Sequence, residues 1–314
     1  MAPFSYHGYT VHRHLVSHVW DILSLKVRDY GEFLLYSSLF LGVVVTGMGY
    51  SSCYIQGITW TVQQAAVMFM ITFSVYNLNR KTDEAEDALN HERRFRITKK
   101  FERHFFVAAL AAYLTALIIA AFYGVAAFCV TILPLVSGIF YSVPILPRWW
   151  RYRRLKEIPV MKNVVVSISW ALSASLLPVF MTASIPGMTT LIVFLFIFSW
   201  TFIASTLPDI RDRTGDSATG VATIPVLIGV ARTRFFLTGI NLISGVLIFT
   251  LGRSVLSVGS CIVIICSLVY SEACIVAIDR TRMNSLLVDV ISDGQFLAIG
   301  CLCLLVSSLP NLHP

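Results

Sequence analysis

The sequence predicts an all-α integral membrane protein with nine transmembrane helices and two Asp-rich cytoplasmic loops. Hydrophobic residues make up 56% of the 314 residues and charged residues only 13%, whereas soluble domains carry roughly 25% charged residues. The mean hydropathy of the chain is +0.75, and so apolar a chain needs lipid to cover its surface. The composition therefore argues against a soluble enzyme.

Stretches without Asp, Glu, Lys or Arg define the predicted spans. Three such stretches run over Phe33–Asn79, Phe105–Pro147 and Asn163–Pro208. Because about 20 apolar residues cross a bilayer, each stretch holds two helices. The weak turns between the paired helices lie at 47–57, 123–124 and 184–187. Three single spans follow, over Phe235–Gly252, Ser254–Ile278 and Val288–Leu309.

The positions of Lys and Arg set the orientation of these spans. With nine spans, 23 of the 24 basic residues lie on the side of the N-terminus, and only Arg253 lies opposite. Short cytoplasmic loops hold the excess of positive charge, so the N-terminus and the loops at 79–103 and 207–234 are predicted to be cytoplasmic. Residues 1–32 form a cytoplasmic or interfacial segment in this prediction, and residues 33–314 form one transmembrane domain.

The formal net charge of +7 indicates contact with the lipid bilayer surface and with an anionic substrate. Nucleic acid is a poor fit as a partner, because the sequence offers no soluble basic domain to bind it.

Two acidic clusters follow the second and sixth predicted spans. If the second helix continues past Asn79, then Asn79, Asp83 and Asp87 lie at i, i+4 and i+8 and share one face. The second cluster consists of Asp209, Asp212 and Asp216, at i, i+3 and i+7. Carboxylate oxygens suit Mg²⁺, which completes its coordination with phosphate oxygens. The simpler alternative is that these acids are solvated loop charges paired with nearby Arg and Lys.

At these residues the sequence resembles the UbiA superfamily of intramembrane prenyltransferases, in a divergent or archaeal-type branch. The resemblance covers essentially the whole chain. It lies in Asn79, Asp83, Asp87, Asn90 and Arg93, in Tyr141, Pro144, Lys162 and Asn163, and in Asp209, Asp212, Gly215, Asp216, Gly220, Thr223, Pro225 and Gly229. The sequence departs from the family pattern at Arg80, where an acid is usual, at His91-Glu92, and at Pro208 and Ala204, where Lys and Tyr are common.

The resemblance implies a nine-helix UbiA-type bundle and a metal-dependent reaction of an isoprenyl diphosphate. In this prediction, Mg²⁺ is held by Asp83, Asp87, Asp209, Asp212 and Asp216, with Asn79 assisting. Metal-assisted ionisation of the allylic C–O bond yields a carbocation, which is transferred to a membrane-associated acceptor whose identity is unknown. The substrate-binding residues are Asn79, Arg80, Arg93, Lys156, Lys162 and Tyr141, in which Arg suits bidentate phosphate contacts.

Further candidates follow from residue type and position. Aromatic rings at Phe73, Tyr76, Phe140 and Tyr141 could shield a carbocation, although plain packing is the simpler interpretation of each. Asp289 and Asp293 could position an acceptor. Glu272 is isolated in the sequence and is assigned no role.

Two other functions compete with prenyl transfer. The same Asp and Mg²⁺ machinery could ionise the diphosphate and let the cation cyclise to a terpene without an acceptor. A transporter or non-catalytic membrane protein is the alternative from another class. Charges near the middle of the membrane would be expected of a transporter, whereas the acids of this sequence lie at one face.

Overall fold

A computed structural model of the chain describes residues 30–82, 84, 92–150, 152–219, 221–278 and 285–309. The described backbone is helical or in turns, without a strand, as the sequence predicts. Most of the predicted segment 1–32 lies outside these residues. The helices are α1 (Leu39–Gln56), α2 (Val62–Thr82), α3 (Glu92–Lys100), α4 (Glu102–Phe122), α5 (Val125–Ser142), α6 (Met161–Met181), α7 (Met188–Thr219), α8 (Ile224–Ile228), α9 (Val230–Gly252), α10 (Val258–Ala277) and α11 (Ser285–Ser307).

Eight of the described helices are long and apolar enough to cross a membrane: α1, α4, α5, α6, α7, α9, α10 and α11. Their number and composition indicate an integral, multi-pass membrane protein. Helix α2 is 21 residues long but is not among the eight. It carries polar residues at both ends, including Gln63, Gln64, Asn77 and Asn79. A ninth span therefore stays a prediction.

The long helices follow one another around a bundle. Successive helices pack side by side, from α1 and α2 through α4, α5, α6, α7, α9 and α10 to α11, and α11 packs back against α1. The outer faces are apolar, as in α4, where Val107, Leu110, Leu114 and Ile118 are exposed. Exposed apolar stripes at this helical spacing match a surface that faces lipid.

The predicted turns lie where two of the three hairpins bend. Tyr123 and Gly124 separate α4 from α5, and Gly124 has a φ of 111°, which glycine adopts readily. Residues 182–187 separate α6 from α7. In the first hairpin the chain turns at Gly57, with a φ of 65°, and the earlier part of the predicted interval is helical. Glycine inside a helix can serve close packing, and a sequence pattern does not separate that use from a turn.

Gly47 illustrates this packing role, because it lies where α1 and α11 come close together. A Cβ on Gly47 would lie 2.7 Å from the carbonyl oxygen of Phe296, and a Cβ on Gly300 would lie 2.8 Å from Cα of Gly47. Real Cβ atoms do not approach that closely, so both positions need glycine. Small residues at such crossings let membrane helices approach backbone to backbone.

Replacing Gly300 by valine is therefore expected to destabilise the bundle by about 1–3 kcal/mol through overpacking. The thermal unfolding temperature of the detergent-solubilised protein measures this effect. Gly239→Val is the matched control, because a Cβ at Gly239 meets nothing within 4 Å. Equal unfolding temperatures for the two variants would contradict the close contact between α1 and α11.

Helix α7 is longer than the predicted sixth span. It runs over 32 residues and continues through Pro208 to Thr219, so the prediction of a loop from 207 onward is wrong up to that residue. Proline removes one helical hydrogen bond, but Leu207 and Ile210 on either side of it are buried. Tertiary packing therefore keeps the helix continuous, and the second acidic cluster lies on a rigid element.

Candidate functional site

A cavity of about 290 Å³ lies among α2, α5, α6 and α7, at the end of the bundle that holds the acidic cluster of α7. Its polar lining residues include Asn79, Arg80, Arg94, Tyr141 and Lys162, together with Ser137, Ser169 and Ser205. Its apolar lining includes Val75, Pro134, Val165, Val166 and Trp170. A cavity with cations at one end and apolar walls beyond suits a ligand with an anionic head and an apolar tail.

Asp209 is held at the edge of this cavity by two residues of α6. Lys162 Nζ donates to Asp209 Oδ1 at 2.7 Å, and Asn163 Nδ2 lies 3.2 Å from Oδ2. Asn163 also contacts the hydroxyls of Ser205 and Thr206 at 3.1 Å each. The Asp209 side chain is only 4% exposed, so its charge is balanced by the ammonium group and by buried hydrogen bonds.

The other two acids of the second cluster lie further along α7. Asp212 accepts two hydrogen bonds from the guanidinium of Arg211, at 2.8 Å from Nε and 3.0 Å from Nη2. Asp216 is buried, with 6% exposure. Because α7 is helical throughout, Asp209, Asp212 and Asp216 lie along one face, as their spacing predicts.

Asn79 lies in the last turn of α2 and faces α5. A Cβ on Gly138 of α5 would lie 3.2 Å from Asn79 Oδ1, so the absence of a side chain at Gly138 leaves room for the amide. The helix continues past Asn79 to Thr82, which is the condition for the predicted shared face. Asp83 and Asp87, the other members of that face, lie outside the described residues.

Arg80 lines the cavity, and part of its guanidinium binds the protein itself. Its Nη1 atom donates to the carbonyl of Tyr36 and lies 3.4 Å from Oδ1 of Asn77. These contacts join α2 to the helical segment 30–36 that precedes α1. Besides its predicted role toward phosphate, Arg80 therefore fixes the position of this segment.

The other basic residues predicted to bind substrate differ in their position relative to the cavity. Lys162 lines the cavity, whereas Lys156 is buried in the 3₁₀ turn Leu155–Glu157 and is absent from the cavity lining that the described residues form. Arg93 lies in α3, but its side chain is outside the described part of the chain. The next residue, Arg94, lines the cavity, and sequence reasoning missed it because three arginines fall close together in α3.

Helix α3 is attached to its neighbours by Lys99. The ammonium of Lys99 lies 2.9 Å from carboxylate oxygens of Glu84 and Glu102. The hydrogen bond to Glu102 raises the pKa of Lys99 most, and the hydrogen bond to Glu84 raises it further. Glu84 and Glu102 are thus both paired with Lys99, and the pairing joins α3 to the end of α2 and the start of α4.

Two of the four aromatic candidates line the cavity, namely Tyr76 and Tyr141. Tyr76 stacks on Trp170, with ring centroids 6.3 Å apart and planes 14° apart. Phe73 instead stacks on Phe69, and Phe140 is 47% exposed; neither lines the cavity. Adjacent helical residues point in different directions, which explains why Tyr141 lines the cavity and Phe140 does not.

Glu272 of α10 and Asp293 of α11 are absent from the cavity lining that the described residues form. Asp293 is half-buried in α11, and the side chain of Asp289 is outside the described part of the chain. Their predicted role toward an acceptor stays a prediction. Glu272 is not isolated in space, because it accepts from Thr238 Oγ1 at 2.6 Å and from Asn241 Nδ2 at 3.2 Å. It connects α10 to α9 as interhelical hydrogen bonds do in membranes.

The oxygen donors of α2 and α7 fit a hard divalent cation such as Mg²⁺. Asn79 offers an amide oxygen, and the acids of α7 offer carboxylates beside several cations. Among the described residues no three His, Cys, Asp or Glu side chains converge closely enough to hold a metal ion. A complete set of ligands would therefore need the first acidic cluster, as the sequence predicts.

Comparisons with known proteins agree with this fold. The sequence model of the UbiA prenyltransferase family matches residues 35–307. A UbiA homolog from Archaeoglobus fulgidus bound to GPP and Mg²⁺ superposes with a TM-score of 0.63 at 16% identity, covering 88% of this chain and 100% of that one.

The same homolog bound to DMAPP and Mg²⁺ gives a TM-score of 0.60 at 17% identity, covering 88% of this chain and 99% of that one. The apo UbiA homolog from Aeropyrum pernix K1 gives 0.61 at 14% identity, covering 85% and 98%. No curated protein sequence matches the chain.

Proposed function

Because the chain belongs to the UbiA prenyltransferase family, we propose that it transfers an isoprenyl group from an isoprenyl diphosphate to a membrane-associated acceptor, with Mg²⁺ as the metal. Family membership supports prenyltransferase activity in general. The observation that carries the finer proposal is the cavity, which joins a cationic end beside Asp209 to an apolar interior. The homologs bound to GPP or DMAPP with Mg²⁺ have the same fold.

In the proposed reaction, the diphosphate lies at the polar end of the cavity. Arg94 and Lys162 line that end together with Arg80, and their charges favour the diphosphate as negative charge develops on it. Asn79, Asp209, Asp212 and Asp216, with Asp83 and Asp87, are the residues that would hold Mg²⁺. When bound, the metal would supply positive charge that neutralises the leaving diphosphate.

The apolar part of the cavity receives the isoprenyl chain and excludes water. The allylic C–O bond breaks, the bonding pair leaves with the diphosphate, and the acceptor bonds to the allylic carbon and loses a proton. The rings of Tyr76 and Tyr141 border the cavity and present π-faces that favour a nearby cation. Water exclusion matters because water would otherwise capture the carbocation.

The proposal also includes the orientation of the helical bundle in the membrane. The polar end of the bundle, with the N-terminus and both acidic clusters, faces the cytoplasm, because 23 of the 24 basic residues lie on that side in the nine-span topology. Residues 33–314 form one catalytic domain, and residues 1–32 a cytoplasmic or interfacial segment. Cysteine labelling of intact cells at positions near Arg154 and Arg253 tests the two sides.

The activity itself is tested by diphosphate release from C5 to C25 isoprenyl diphosphates, using purified protein in detergent with and without Mg²⁺. We expect metal-dependent release and, with a membrane lipid extract as the source of acceptor, a prenylated product on organic extraction. Terpene hydrocarbon or alcohol formed from the donor alone would instead identify a cyclase. Absence of release under all these conditions would reject both reactions.

A further inference from the structure

Lys162 forms an ion pair with Oδ1 of Asp209, a residue that the proposed function assigns as a metal ligand. Its Nζ lies 2.7 Å from Asp209 Oδ1, while Asn163 Nδ2 lies 3.2 Å from Oδ2. Both oxygens of this almost fully buried carboxylate therefore have a hydrogen-bond donor. A metal ion that coordinated Oδ1 at the usual distance of about 2.0–2.1 Å for Mg²⁺ would lie beside the Lys162 ammonium, and the two positive charges would repel each other.

We propose that Lys162 is an exchangeable counter-ion of Asp209, which the metal displaces only when a diphosphate is present to receive the ammonium. Metal and diphosphate then bind with positive cooperativity, and Lys162 is the residue that couples them. This inference rests on the proposed function, since it concerns the same site.

The cost of displacement predicts that metal alone binds weakly. The Lys162 side chain is only 34% exposed, and moving its ammonium away from Asp209 breaks a charge-assisted hydrogen bond in a partly buried place. Without a new anion, the ammonium would lie beside an incoming divalent cation and be repelled by it. Metal binding must therefore overcome both the loss of this hydrogen bond and the repulsion between the two cations.

A diphosphate removes this cost. Lys162 is the second residue of α6 and lines the cavity directly, so its flexible four-carbon stem can carry the ammonium into the cavity without backbone movement. There the ammonium binds diphosphate oxygens, and these contacts replace its contact with Asp209 Oδ1. Each ligand thereby lowers the cost of binding the other, and by linkage the effect is equal in both directions.

Asn163 keeps the carboxylate in place during the exchange. It is 1% exposed and is fixed by Ser205 and Thr206 of α7, and it holds Oδ2 rather than the oxygen that Lys162 holds. Asp209 therefore retains its orientation after Lys162 leaves, and Oδ1 becomes available to the metal.

The test measures binding rather than turnover, using Mn²⁺ as a metal probe detected by EPR and inorganic diphosphate as the anion probe. Lys162→Met is expected to bind Mn²⁺ alone about tenfold more tightly than the wild type, because a hydrogen bond to a charged group no longer has to be broken. The same variant is expected to bind diphosphate alone more weakly. Opposite changes for the two ligands distinguish exchange from a purely structural role.

Lys100→Met is the matched control. It removes the same charge from the same end of the bundle, but from an exposed side chain at the end of α3 that is absent from the cavity lining, so its Mn²⁺ affinity should change by about threefold or less. Equal Mn²⁺ affinities for the two variants, or for Lys162→Met and the wild type, would overturn the proposal.

A second measurement uses only the wild-type protein and is decisive if Lys162→Met does not fold. Mn²⁺ affinity is compared with and without saturating methylenediphosphonate, after correction for the complex that the two form in protein-free buffer. A gain of about tenfold supports coupling, and no gain overturns it. If the wild-type protein turns over donors but shows no such gain, the coupling is rejected and the proposed function stands. If the protein is inactive toward every donor, the proposed function is rejected.

Discussion

Replacing Asp209 by asparagine is expected to lower Mg²⁺-dependent diphosphate release on the order of a thousandfold, as loss of a major electrostatic contribution to a leaving group does. Asparagine has nearly the same shape and keeps an acceptor oxygen for Lys162, so the fold should survive. What changes is the charge next to the cavity, on a side chain that is almost completely buried. Initial rates of diphosphate release with a C10 donor, at saturating Mg²⁺, measure the effect.

Glu102→Gln is the control for Asp209→Asn. Glu102 is an acid near the same end of the bundle, but its partners are Lys99 and Lys81 and it is absent from the cavity lining. The same change of one charge there should alter the rate by less than about threefold. If both variants keep wild-type rates while remaining folded, Asp209 has no part in the reaction.

Eight of the nine predicted spans contain a described helix that is long and apolar enough to cross a membrane, because charge is excluded from the membrane interior. Each charge-free stretch of two spans contains the expected pair of helices, and the turn at Tyr123 and Gly124 lies where glycine predicts it. The end of α7 could not be predicted this way. Pro208 ends the apolar run, but burial of Leu207 and Ile210 outweighs the single hydrogen bond that proline removes.

For the candidate site, residue type and motif suggest which residues take part, and those roles stay predictions; the sequence does not predict how the residues pair. Lys162 and Asp209 were both expected near a diphosphate, yet the contact between them joins residues 47 positions apart and depends on how α6 lies along α7. The same limit applies to Arg94, since the rotation of α3 about its axis decides where the Arg94 side chain lies. Asn163 is one of the residues in which the sequence resembles the UbiA superfamily, but its hydrogen bond to Asp209 is visible only in three dimensions.

The size of the cavity and the aromatic pair in its lining predict which donors the protein accepts. Trp170 lies eight residues beyond Lys162 on α6, which corresponds to about 12 Å along the helix axis, and it stacks on Tyr76 from α2. Beyond it, Ala171 and Ala174 are fully buried. A cavity of about 290 Å³ that is lined by this ring pair should hold short isoprenyl chains, and we expect C10 donors to react faster than C20 donors.

Trp170→Leu should shift this preference toward longer chains, because the smaller side chain enlarges the cavity that Trp170 lines. The ratio of kcat/KM for a C15 donor to that for a C10 donor is expected to rise about tenfold or more, the effect of even one accommodated methylene group at a tight site. Competition between the two donors in one reaction, with product analysis by mass spectrometry, measures the ratio directly.

Trp200→Leu separates this change in selectivity from the loss of stability that any buried tryptophan substitution causes. Trp200 is also buried, with 3% exposure, and it packs on Phe196 and Phe296 rather than on the cavity. Truncating either tryptophan should cost up to about 3–5 kcal/mol of stability, yet only Trp170→Leu should change the donor ratio. An unchanged ratio in active Trp170→Leu protein would mean that the isoprenyl chain leaves the cavity sideways into the lipid before it reaches the ring pair.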